Sequence, residues 1–165
     1  MYISTRGSKA APAEQGGTQQ QQKTILEVLG MDDVLTPVLP RGIRNKNPLN
    51  IELGDNWQGM APEQNDGRFV QFTDPRYGYR AAAKIMASYS RRGINTVRGI
   101  IATWAPSHEN NVEAYIDSVA SRSGLSSLQI VEREHYPALF EAMTWHENGQ
   151  QPYSRALIAE GVSWA

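Results

Sequence analysis

Apolar positions recur with helical spacing over most of the second half of the chain. The clearest stripe is Val97, Ile100, Ile101 and Trp104, which follow one another at i, i+3, i+4 and i+7 after Asn95-Thr96. Before it, Asp74-Pro75 reads as an N-cap with proline in the first turn, opening a helix through Ala81, Ile85, Met86 and Tyr89 to Gly93. A third helix, NVEAYIDSVASRSG, carries Val112, Tyr115, Ile116 and Val119 on one face and stops at Gly124, with Asn110 and Asn111 as its caps. A fourth opens at Pro137 and stops at Gly149, and a weaker fifth covers SRALIAEGV. From 41 to 73 the pattern changes to short extended pieces. NIEL and WQGM are parted by Gly54-Asp55, and RFVQF alternates with Phe69 and Phe72 as anchors. The expected fold class is therefore mainly α (α+β), with a small β region near the start of the domain.

The first residues follow no such period. MYISTRGSKAAPAEQGGTQQQQ cannot bury enough apolar surface to fold alone and reads as a tether. KTILEVLGMDDVL supplies a short docking helix with Ile25, Leu26, Leu29 and Val34, after which Pro37 and Pro40 punctuate the boundary. The expected organisation is an arm with its docking helix over 1–40 and one compact domain over 41–165.

Charge and composition remove several function classes. With 16 basic and 17 acidic residues the net charge is −1, so no global field draws the chain to nucleic acid or an anionic membrane. No stretch is long and apolar enough to span a bilayer, and no signal-peptide pattern is expected. Cysteine is absent, excluding disulfides, thiol catalysis and cysteine zinc sites. His108, His135 and His146 form no HExxH pair, so neither a metal nor a cofactor is expected. GxSxG, P-loop and GxGxxG motifs are missing too.

The candidate chemistry lies at the end of the fourth helix. Glu147 follows Leu139, Phe140 and Met143 by eight, seven and four residues, within roughly 80° of each on a helical wheel. It continues the apolar stripe at the negative end of its own helix, and both influences favour the protonated carboxyl that a general acid needs at neutral pH. Asn148, Gln150, Gln151 and Tyr153 flank it as donors for a neutral ligand such as a sugar. A plain alternative is that Glu147 pairs with an arginine or reaches solvent where the helix frays. Trp57, Trp104, Tyr77, Tyr115 and Tyr153 offer sugar-stacking faces, although the stripe assigns Trp104 to the core. Asn45, Asn47 and Asn50 serve turns as readily as substrate.

LFEAMTWHENGQQPY resembles the catalytic stretch of lytic transglycosylases and lysozyme-like muramidases. RNKNPLNIELGDNWQGM with GRFVQFTDPRYGYRAAAKIMASY is similar to the segment after the catalytic glutamate in bacterial β-N-acetylglucosaminidases. Over about 41–165 the blocks RGIRN, NIE, WQG, FVQF and ENGQQPY resemble phage virion proteins with a lysozyme-like domain. The resemblance implies a lysozyme-like helical domain in a circularly permuted order, because the glutamate helix here follows the β region instead of preceding it. It implies a virion-located peptidoglycan glycosidase that cleaves β-1,4 links between amino sugars. Glu147 would be its acid and Glu52 the competing catalytic position. Asn50, Trp57, Gln150 and Tyr153 would bind glycan strands, and the arm would dock on other virion proteins. An inverting reaction would also need a second carboxylate, for which Glu52, Asp55 and Asp66 are available. The alternative is a non-catalytic structural virion protein on the same scaffold.

Overall fold

The computed structural model describes residues 38–105 and 111–165. The tether, the docking helix, the cap expected at Asn110 and His108 lie outside them. Among the described residues six α-helices follow in order: α1 (Arg41–Arg44), α2 (Pro75–Arg91), α3 (Val97–Trp104), α4 (Val112–Ser123), α5 (Tyr136–Asn148) and α6 (Arg155–Ser163), with a 3-10 turn at Arg133–His135 before α5.

Local chemistry sets most of the boundaries. The Asp74 carboxylate accepts from the Arg76 amide and Pro75 begins α2. Thr96, Asn111 and Ser154 cap α3, α4 and α6 by accepting from Gly99, Ala114 and Leu157. Gly124 and Gly149 end α4 and α5 in the left-handed conformation. The expected fourth helix starts one residue earlier than the proline suggests, at Tyr136. The four-residue α1 carries too few positions to show a period, and the sequence reading took its span as extended.

The β expectation is corrected in one respect. The segments do meet, through antiparallel bridges Glu52 to Phe69 and Met60 to Phe72 and backbone bonds such as Val70 N–H to Ile51 O at 2.9 Å. They form isolated bridges and not a ladder. Positive φ at Asn50, Gly54, Gly59 and Gly67 bends the chain before a strand can extend. Phe69 and Phe72 are nonetheless buried anchors, as their alternation implies.

The helical stripes meet in a single core. Val97, Ile100, Ile101 and Trp104 of α3 join Tyr115, Ile116 and Val119 of α4, Leu139, Phe140 and Met143 of α5, and the Ala81, Ile85, Met86 and Tyr89 face of α2. Helix α5 packs between α4 and α6, α6 lies on α2, and α1 touches α5. Gly161 makes the α2–α6 approach possible: a β-carbon there would stand 2.6 Å from Arg76 O and 2.9 Å from Tyr79 Cβ. This arrangement brings the end of α5 against α4 on one side and the loop after α1 on the other.

Candidate functional site

Helix periodicity carries Glu147 inward, and the carboxyl meets donors from two other parts of the chain. The residue is 5% exposed. Tyr115 Oη, from α4, donates to Oε1 at 2.7 Å, and Asn50 Nδ2, from the loop after α1, donates to Oε2 at 3.0 Å. Burial pushes the carboxyl up to about 7, against the pull of Tyr115, Asn50 and the Trp104 indole. The Trp104 N–H acts here only as a nearby dipole, since it does not reach hydrogen-bond geometry. Tyr115 is itself raised far above the ordinary phenol range by burial and then by the adjacent carboxylate. His146 stacks on the Tyr115 ring with centroids 3.7 Å apart. Burial, and then the charge of Arg122, hold that imidazole below its usual value.

Asn50 reaches Glu147 from a strained backbone. Its φ is 50°, which a non-glycine residue adopts only at a cost. Asn47 organises the turn beneath: its Nδ2 donates to Ile51 O and Val70 O, and its Oδ1 accepts from the Ile51 amide. Of the three asparagines left open between turn and substrate, Asn47 is thus a turn residue and Asn50 a partner of Glu147. Asn45 donates to Asp66 Oδ2 at 2.8 Å. Beside Glu147, Asn148 Nδ2 donates to Pro48 O and Thr144 O, tying the helix end to the same loop.

The other candidate residues stand apart from this cluster. Glu52 pairs with Arg68 at 2.9 Å on a partly exposed edge. Asp66 is gripped by Arg41 at 2.7 and 2.8 Å and by the Phe69 amide. Burial alone would raise the Asp66 carboxyl, but the Arg41, Asn45 and backbone bonds hold it well below the usual carboxylate range. Asp55 lies half-buried after Gly54. Trp57 packs against the core with its indole N–H buried and unpartnered. Tyr153 meets the Tyr79 ring edge-on, with centroids 6.0 Å apart, and its backbone is held by Gln151. Gln150 is half-buried in the loop beyond Gly149. The structure therefore joins Asn50 to Glu147 and leaves Glu52, Trp57 and Tyr153 in other contacts.

The sequence places Tyr115 on the buried face of its helix and among the stacking surfaces, and Asn148 among the ligand donors, without joining either to Glu147 in one network. Tyr115 lies 32 positions from Glu147, and no local period announces a bond over that separation. Among the described residues, no group of three or more His, Asp or Glu is placed to hold a metal. No helix among them is long and apolar enough to cross a membrane.

No family model matches the chain. It is similar to Protein P5 of Pseudoalteromonas phage PM2, with 41% identity over 129 residues that cover 75% of this chain and 81% of that protein. This kinship bears out the virion location expected from the resemblance. At that identity and coverage, the chain belongs to the family of phage PM2 Protein P5.

Proposed function

We propose that the chain is a structural component of the phage particle, its helical domain a lysozyme-like scaffold in permuted order. The observation that carries this reading is the enclosure of Glu147. Both carboxyl oxygens are occupied by donors from the same protein, and the residue is 5% exposed. A group shut in this way holds α4, α5 and the 45–50 loop together, which is a structural task. Kinship with a phage protein supports a place in the particle, where other virion proteins are its partners.

A second reading is favoured by a different property of the same residue. A carboxyl raised to about 7 holds a proton at neutral pH and can deliver it to a glycosidic oxygen. As a peptidoglycan glycosidase the chain would use Glu147 as acid. In a lytic transglycosylase the same group would then act as base, whereas an inverting hydrolase would need a second carboxylate some 6.5 to 9.5 Å away. Substrate would have to displace Asn50 or Tyr115 to reach it.

One experiment separates the two. Purified sacculi are incubated with the wild type, Glu147→Gln and Glu52→Gln, and released sugars are analysed by mass spectrometry. The structural reading expects no release from any of them, with the chain recovered in purified particles. Release by the wild type and by Glu52→Gln, lost in Glu147→Gln, overturns it in favour of the glycosidase.

A further inference from the structure

The hydrogen-bond network around Glu147 contains two buried acceptors with no donor. Asn50 Oδ1 and Asn148 Oδ1 are both enclosed and unpartnered, which is costly for a buried carbonyl. They face the same spot. A β-carbon on Gly42 would stand 2.8 Å from Asn50 Oδ1 and closer still to Asn148 Oδ1, with Asn47 O at 3.0 Å. The two oxygens thus border the same small space, and the bare α-carbon of Gly42 is what leaves it open.

The two amides differ in freedom. Asn148 uses both of its N–H groups, on Pro48 O and Thr144 O, so its orientation is fixed and its oxygen must face Gly42. Asn50 is held only by the bond from Nδ2 to Glu147 Oε2. That bond exists while Oε2 is an acceptor, which it ceases to be once it carries the proton.

We propose that Asn50 is a rotor coupled to the protonation of Glu147: when Oε2 takes a proton, the Asn50 amide turns by half a revolution. Oδ1 then accepts from the new carboxylic O–H, and Nδ2 moves to the Gly42 side and donates to Asn148 Oδ1. The proton comes from solvent, no covalent bond other than O–H forms, and both unpartnered oxygens gain a donor in one step. The backbone need not move, because the amide of Asn50 stays bonded to Asn47 O at 3.0 Å. The network is complete in the acid form and short of a donor in the ionised form, so the proton locks the 45–50 loop onto the end of α5.

The surroundings leave Glu147 as the titrating member. Tyr115 from α4 faces Oε1 and stays protonated, because burial and the carboxylate both raise it. Trp104 from α3 faces it as a neutral dipole. His146 lies next to it on α5, over the Tyr115 ring, with its value lowered by burial and Arg122. Both influences favour its neutral form.

The test is NMR of the full chain from pH 5 to pH 9, following the Glu147 side-chain carboxyl and the Asn50 side-chain amide. The expected result is a cross-relaxation peak between the Asn50 amide protons and the Gly42 α-protons on the acid side only. It disappears with the carboxyl's own midpoint. Glu147→Gln, whose amide donates as the acid does, should show that peak at every pH. A peak that is absent throughout or unchanged throughout in the wild type overturns the proposal, as does its absence in Glu147→Gln. None of these readouts depends on whether the chain cleaves sugar, so this proposal and the structural reading fail separately.

Discussion

Tyr115 Oη donates to Glu147 Oε1 at 2.7 Å across 32 positions of sequence, and this bond opposes the burial that otherwise governs the carboxyl. Donation stabilises the charged form, so removing it should leave burial with less opposition. Tyr115→Phe is expected to raise the Glu147 midpoint above about 7 by on the order of one unit. Carboxyl-detected NMR titration reads the change, and an unmoved or lowered midpoint would contradict it.

The raised carboxyl also makes stability depend on pH. Between the ordinary value of 4.5 and about 7, the folded chain holds a proton that the unfolded chain has released. Stability from this group is therefore full below 4.5 and declines as pH rises to about 7. Glu147→Gln keeps the shape and removes the ionisation. It should be more stable than the wild type at pH 8 by on the order of 3 kcal/mol and nearly equal to it at pH 4.5. Urea unfolding at the two pH values measures the difference, and a variant equally or less stable at pH 8 refutes the sign.

Gly42→Ala puts a methyl group against Asn148 Oδ1, Asn50 Oδ1 and Asn47 O. Asn148 cannot yield without losing two hydrogen bonds. The expected loss is about 2 kcal/mol or more from overpacking, together with a rise in the Glu147 midpoint as Asn50 is pushed aside. Gly93→Ala is the control: its φ of 76° carries strain but nothing lies within 4 Å. It should cost about 1 to 2 kcal/mol with the midpoint unchanged. Thermal unfolding and the carboxyl titration together distinguish the two variants.

Asp66 anchors the 41–73 region through Arg41, with the Asp66 side chain 6% exposed. Asp66→Ala removes the carboxylate that Arg41, Asn45 and the Phe69 amide all bond to, and should cost about 3 kcal/mol at pH 7. Because the folded carboxyl lies well below 3.8, its contribution is present above that value and is lost as pH falls beneath it. The gap between wild type and variant in urea midpoints should therefore narrow only in strong acid; a gap that closes near pH 5 would disprove the assignment.

The helical half of the fold was legible because its signals are local. Asp74-Pro75, Thr96, Asn111 and Gly149 mark helix ends by chemistry within a turn of themselves, and the 3.6-residue period marks the buried faces. The 41–73 region was less legible. Its backbone turns on positive φ at Asn50 and at glycines, and its hydrogen bonds run through Asn47, Asn45 and Asp66 instead of a ladder. Neither leaves a periodic trace.

The inward face of Glu147 was likewise determined by the sequence, because one helix fixes the angular position of every residue on it. Which groups meet that face was decided by the packing of α5 between α4 and the loop after α1. This packing sets Tyr115 and Asn50 against the carboxyl, Glu52 against Arg68 and Gly42 against two amide oxygens. Side-chain partners so far apart in the chain are chosen by the closing of the core, and a local period carries no information about that choice.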